Sequence, residues 1–162
     1  MLQLNLGSGT TRVKGYVNID KYSKEADLHI DVAELPYADN TVDKIYTAHM
    51  VEHVTLQEFQ KMLKEWRRIL KVGGLLVIRC PNIEVYLKRW LAGDYKLRWG
   101  EGLNWLLGLV SKGEGHVNRN FFTAKRLKQI VGSAGFKIKR CTPYPTRTGH
   151  ISNGDVLCEA IK

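Results

Sequence analysis

Gly7, Gly9 and Asp20 are the residues whose types and spacing first suggest chemistry. Gly7-Ser8-Gly9 follows the run Leu2 to Leu6 and precedes Tyr16 to Asp20, a second run that ends on a carboxylate. Glycines at 7 and 9 let the backbone approach a ligand where any Cβ would collide. An acid at the carboxyl end of the neighbouring strand can accept both hydroxyls of a ribose. The implied ligand contains a nucleoside.

The spacing narrows the choice of nucleoside. A dinucleotide site asks for G-x-G-x-x-G and an acid about twenty residues further on. Here Arg12 holds the third glycine position and Asp20 comes too early. A P-loop would end in Gly-Lys-Ser/Thr, which does not follow Gly9. With phosphate cradles disfavoured, a nucleoside without phosphates remains, and S-adenosylmethionine fits. The bland alternative is an ordinary Gly-x-Gly turn between strands.

The elements that must position these residues can be read next. The chain of 162 residues is long enough for one domain with a real core. Leu2, Leu4 and Leu6 alternate with Gln3 and Asn5, so the first strand has one partly polar face. The crossover from Gly7 to Gly15 is too short for more than one helical turn, which leaves one side of the sheet thinly covered. Further strands are expected at Tyr16 to Asp20, Asp27 to Asp31, Val42 to Ala48, Leu75 to Cys80, Phe136 to Cys141 and Val156 to Ile161. Glu58 to Lys71 reads as the clearest helix, with Phe59, Met62, Leu63, Trp66, Ile69 and Leu70 on one face. Thr123 caps a last helix that Gly135 closes. The stretch from about 82 to 120 carries Trp90, Trp99 and Trp105 and reads as two short helices and loops, a lid over the sheet edge. Alternating strands and helices predict a three-layer α/β domain with a mostly parallel sheet.

Twenty-five Lys and Arg against sixteen Asp and Glu leave a charge of +9, which favours an anionic partner or a solvated basic face. Cys80, Cys141 and Cys158 lack metal-ligand spacing and read as free thiols of a cytoplasmic protein. No stretch reaches the length of a membrane span.

Read in order, L-N-L-G-S-G, V-N-I-D, I-D-V-A-E-L-P-Y-A-D-N-T-V-D-K-I-Y, H-M-V-E-H-V, L-K-E-W-R-R-I-L-K-V-G-G and H-V-N-R-N-F-F-T resemble class I S-adenosylmethionine-dependent methyltransferases of the small type-11-like group. The resemblance covers most of the chain. It implies a Rossmann-like sandwich with a seven-stranded sheet and an antiparallel last strand. It also implies that Leu6, Gly7, Ser8 and Gly9 form the turn under methionine and ribose. Asp20 would hold the ribose, Asp31 and Val32 would meet the adenine, and Thr47 and Ala48 would offer backbone to the methionine. S-adenosylhomocysteine would be the product. Two departures stand out: the first strand begins at once, and the helix after the glycine turn is shortened. The Trp-rich insertion or a second subunit, as in a homodimer, must then close the site.

Methyl transfer is an in-line displacement in which positioning supplies most of the rate. A base is needed only for a hydroxyl or a protonated amine. His49, His53 and His116 are the candidates, with Glu52 as orienting acid, because imidazole titrates nearest neutrality. His49 and His53 are spaced to share one helix face. Each also reads as a packed or capping residue. A metal site is not expected, since the His spacing lacks a third ligand. The acceptor is expected to be small or carrier-linked, an anionic glycan precursor or nucleotide-linked sugar suiting the charge. A nucleic-acid acceptor is not favoured: Thr47-Ala48-His49-Met50 stands where amino-methylating DNA enzymes carry Asn/Asp-Pro-Pro-aromatic, and no partner is evident to activate Cys80.

Overall fold

The computed structural model describes residues 1–93, 117–144 and 154–162. The described strands are β1 (Gln3–Leu6), β2 (Val17–Ile19), β3 (Val42–Ala48), β4 (Leu70–Pro81), β5 (Lys137–Tyr144) and β6 (Asp155–Ile161). They form one sheet in the order β2-β1-β3-β4-β6-β5. β1, β2, β3 and β4 pair in parallel. β6 runs antiparallel to both of its neighbours, β4 and β5. Helices α1 (Leu56–Ile69), α2 (Ile83–Leu91) and α3 (Ala124–Ser133) complete the described elements. The fold is α/β, Rossmann-like, with the expected antiparallel last strand.

Period-two alternation builds one core face. Leu4, Ile45, Leu76 and Ala160 share a register row, and Leu6, Thr47, Ile78 and Cys158 share another. Against these rows α1 lays Phe59, Met62, Leu63, Trp66 and Ile69, and α3 lays Leu127 and Val131. Phe59 packs edge-on to both Trp66 and Phe122, with ring centroids 6.2 and 5.6 Å apart. Aromatic pairs at such separations add to simple burial.

The bounds of α1 differ from the sequence reading of Glu58 to Lys71. Thr55 Oγ1 accepts from Glu58 N while Glu58 Oε2 accepts from Thr55 N, a full capping box. That reciprocal pair satisfies the first orphan donors and starts the helix at Leu56. At the other end Leu70 is already extended, with φ −64° and ψ 139°, so the chain leaves the helix before Gly73-Gly74.

Among the described residues no helix joins β1 to β2. Asn5 and Asn18, both almost fully buried, hold that crossover instead. Asn5 Nδ2 donates to Asn18 Oδ1 (2.9 Å) and to Thr11 O (3.2 Å), and Asn18 Oδ1 also accepts from Val13 N (2.8 Å). Buried amides are tolerated when so many of their groups are paired. The polar face expected of the first strand is thus a clamp on the loop above it. Tyr16 and Tyr46 meet edge-to-face on the same side of the sheet (6.3 Å).

Among the described residues the sheet has six strands rather than seven, because the expected strand Asp27 to Asp31 shrinks to one bridge between Ile19 and Leu28. The reason is local. Asp27 Oδ2 accepts from both Asn18 N (2.8 Å) and Asn18 Nδ2 (2.9 Å), so a carboxylate takes the place of a ladder carbonyl. Of the Trp-rich stretch, α2 and residues 117–120 are described; Trp99, Trp105 and His116 lie outside the described residues.

Candidate active site

The carboxyl ends of β1, β2 and β3 bring the glycine turn, Asp20 and His49 to one edge of the sheet. In parallel α/β sheets this is the edge where ligands bind. Gly7 and Gly9 both adopt left-handed backbone, φ 65° and 53°. Gly9 N donates to Asp20 Oδ2 (2.9 Å), and Asp20 Oδ1 accepts from Tyr22 N (2.8 Å) and Ser23 N (2.9 Å). The expected ribose acid and the glycine turn therefore meet directly. Each carboxylate oxygen has about two acceptor positions, so Oδ2 retains one for a ligand hydroxyl.

The two glycines differ in what they make room for. A Cβ at Gly9 would meet nothing within 4 Å, so this side of the turn is open. A Cβ at Gly7 would collide with the Met50 side chain, its Cβ lying 2.7 Å away. Close approach at Gly7 is thus to the chain's own Met50. Leu6 is fully buried and Ser8 nearly so.

Asp31 accepts from Ala33 N through Oδ1 (2.9 Å) and faces Lys21 Nζ through Oδ2 (3.2 Å). The Ala33 amide and, against burial, Lys21 hold its carboxyl below the usual range. Val32 O accepts from the buried indole Nε1 of Trp66 (2.9 Å), which ties this segment to α1. Thr47 is fully buried, and Ala48 follows it at the end of β3.

His49 and His53 do not share a helix face. Val51–His53 form a single 3₁₀ turn, and His49 lies before it in left-handed backbone, φ 53°. His49 instead bridges two acids from distant parts of the chain. Its Nδ1 lies 3.4 Å from Glu52 Oε1 and its Nε2 lies 3.2 Å from Asp155 Oδ2. Asp155 Oδ2 also accepts from Arg79 Nε (2.5 Å). Burial opposes charge on the His49 ring, but the Asp155 and Glu52 carboxylates outweigh it and push the pKa up to about 9. His53 Nε2 stands 4.0 Å from the same Glu52 oxygen, and its Nδ1 lies 3.4 Å from Val117 O.

Asp155 and Arg79 were missed by sequence reasoning. Nothing local in D-V-L-C-E or V-I-R-C marks them; only the β4–β6 register, Arg79 opposite Leu157 and Pro81 opposite Asp155, brings them together. Cys80 is fully buried, and burial together with the charges of Glu52 and Asp155 pushes its thiol up. That is the opposite of an activated nucleophile. Among the described residues no group of three or more His, Cys, Asp or Glu is arranged to hold a metal ion. A shallow groove lined by Met1, Lys44, Lys71, Val72 and Leu75 lies at the opposite end of the strands and holds none of these residues.

Residues 6–78, which span the glycine turn, Asp20, Asp31 and the His49 segment, match the family described as Methyltransferase domain. This stretch matches a methyltransferase family. The chain shares 34% identity over 74 residues with an uncharacterized protein, MJ0638, of Methanocaldococcus jannaschii. The match takes in 46% of this chain and 32% of that relative, so the chain spans only about a third of the relative's length. Its fold is that of solved class I enzymes. A SAM-dependent methyltransferase of Methanosarcina mazei superposes with a TM-score of 0.64 at 20% identity, covering 99% of this chain and 91% of that one. The Burkholderia thailandensis 1,6-didemethyltoxoflavin-N1-methyltransferase, solved with its substrate and S-adenosylhomocysteine, superposes with a TM-score of 0.68 at 13% identity, covering 99% and 70%. No helix among the described residues is long and apolar enough to cross a membrane.

The His49 cluster makes a pH prediction. A histidine whose folded pKa is raised from about 6.5 to about 9 stabilises the fold fully below the lower value. That contribution is lost as pH rises through the upper one. Thermal melts should therefore fall between these limits, and His49→Asn, which tolerates the left-handed backbone, should flatten the fall. An unchanged pH profile in the variant would mean that the imidazolium is not held by the two acids.

Proposed function

We infer that the chain transfers a methyl group from S-adenosylmethionine to a small or carrier-linked acceptor. The observation that carries this reading is the Gly9–Asp20 hydrogen bond at the ends of β1 and β2, inside the stretch that matches the family. The residues present fit the cofactor. The turn is open at Gly9, Asp20 Oδ2 keeps a position for a ribose hydroxyl, and the carboxylate of Asp31 is exposed for an adenine amino group. Leu6, Ser8, Val32, Thr47 and Ala48 would line the same ligand through backbone. The bound S-adenosylhomocysteine of the Burkholderia enzyme supports the same ligand here.

Bound S-adenosylmethionine supplies an electrophilic methyl on a sulfonium whose departure leaves a neutral thioether. The chain's part is to place the acceptor and manage its proton. Met50, which follows His49 in the chain, packs on Gly7 and so ties the glycine turn to the His49 segment. His49 and His53 are the proton-handling candidates at the acceptor side. The positive surface suits an acceptor borne on an anionic carrier, as a nucleotide-linked sugar would be.

Titration calorimetry with S-adenosylmethionine and S-adenosylhomocysteine tests the reading. Binding in the micromolar range is expected. Absence of heat for both ligands in the wild-type chain would remove the enzyme assignment.

A further inference from the structure

The buried side-chain atoms without a hydrogen-bond partner among the described residues are Thr47 Oγ1, Glu52 Oε2, Asn120 Nδ2 and Asp155 Oδ1. Two of them, Glu52 Oε2 and Asp155 Oδ1, belong to the acids that flank His49. Glu52 and Asp155 share His49. Asn120 N donates to Glu52 O (3.0 Å). Thr47 sits two residues before His49 at the end of β3. Folded proteins rarely leave such atoms unpaired, and two on acids that flank one histidine call for a missing partner. The four residues are each at least nine-tenths buried, Thr47 at 0%, Glu52 at 3%, Asn120 at 3% and Asp155 at 1% exposure.

The chemistry of this set is selective. Two of the four atoms are carboxylate oxygens, which accept only. An anionic group brought here would meet two buried acids. A group rich in N–H donors, carrying positive charge, would satisfy them. We propose that the reacting group of the acceptor is a protonated amine, received between Glu52 and Asp155 beside His49. This assignment rests on the methyltransferase reading for its purpose and concerns the acceptor's reacting atom. The basic surface concerns whatever carries it.

His49 already marks the place of the cation. Its side chain is 41% exposed, yet both ring nitrogens face buried carboxylates. An imidazolium donates from both nitrogens, which suits that geometry. Arg79 is less replaceable: its Nε bonds Asp155 and its guanidinium lies over the Tyr144 ring, 5.5 Å from the centroid. An ammonium arriving from the exposed side of His49 competes for the same two acids. Two cations cannot share them equally, so the imidazolium gives its proton to solvent. The neutral ring then stands beside the ammonium and can take one of its protons, exposing the nitrogen lone pair.

The groups that set the His49 charge come from every neighbouring element. Glu52 and His53 belong to the 3₁₀ turn, Asp155 to β6, Arg79 and Cys80 to β4, and Tyr86 to α2. Arg79 and any charge on His53 oppose the imidazolium. Cys80 and Tyr86 feel both carboxylates and are held neutral by burial, the Tyr86 phenol being pushed up to about 12.

The test is a pH titration of the ¹³C-labelled His49 ring by NMR, its signal assigned with His49→Asn. Ethylammonium chloride is compared with sodium chloride at equal ionic strength, with ethanol, and with sodium acetate. Ethylammonium alone should lower the His49 midpoint, by about one pH unit. The shift should shrink in Glu52→Gln and in Asp155→Asn. A midpoint that ethylammonium moves no more than sodium does, or that acetate moves instead, overturns the amine assignment. Calorimetry with S-adenosylmethionine reads the methyltransferase assignment separately. Cofactor binding without an ethylammonium response removes only the amine site. An ethylammonium response without cofactor binding removes only the enzyme reading.

Discussion

Trp66→Ala should lower folding stability by about 3–5 kcal/mol, the cost of deleting a large aromatic from a filled core. Trp66 is fully buried, packs on Phe59, and sits where α1 meets the sheet. For a chain of this length such a loss corresponds to a Tm lower by about 10 °C. Denaturant melts read it directly, with the midpoint moving while the slope is retained. Trp66→Phe separates packing from hydrogen bonding. It keeps most of the volume but leaves Val32 O without its indole donor, at a cost of about 1–3 kcal/mol. Amide exchange at Ala33 should quicken in this variant, because the Asp31–Ala33 segment loses its tie to α1. A Trp66→Ala protein as stable as the wild type would contradict the packing of α1 on the sheet.

Asp20→Ala should weaken S-adenosylmethionine binding about 100-fold, the loss expected when a charged acceptor and the loop it holds are removed together. The carboxylate has two jobs. It would receive a ribose hydroxyl, and it ties Gly9 N to the turn at Tyr22 and Ser23. Asp20→Asn distinguishes them. Its amide oxygen can serve Tyr22 and Ser23, while its amino group would face the Gly9 N–H. Binding should therefore drop in Asp20→Asn with little change in melting temperature, since Asp20 lies outside the core. Wild-type affinity in Asp20→Ala would place the ribose elsewhere and undo the role given to this edge of the sheet.

The His49 cluster ties these expectations to one region. The glycine turn and the His49 segment meet through Met50, whose side chain fills the space beside Gly7. A residue lacking a side chain is needed at position 7 for that packing as well as for the turn. The glycine pair therefore has two separate duties, an opening at Gly9 and a close internal contact at Gly7.

Much of this was legible from residue order alone. Apolar spacing located α1, α3 and the strands, because helix and strand bury one face at fixed periods. Gly7, Gly9 and Asp20 announced a tight turn tied to an acid because their requirements are local: positive φ, no Cβ, and a carboxylate one strand away. The Thr55–Glu58 box was equally local and could have placed the start of α1 at Leu56. The missing strand after β2 was harder, since Asp27 replaces a ladder carbonyl only once Asn18 stands opposite it.

Only the tertiary structure completed the His49 cluster. His49 with Glu52 was within reach of the sequence, but Arg79 of β4 and Asp155 of β6 join them only through the strand register. Their charges are defined by that meeting, because a carboxylate or imidazole takes its pKa from what lies within a few ångströms and how much water is excluded. Local spacing determines where a backbone bends and which face is apolar. Which buried charges confront each other depends on strand register across the sheet, and that is settled only when the whole chain has folded.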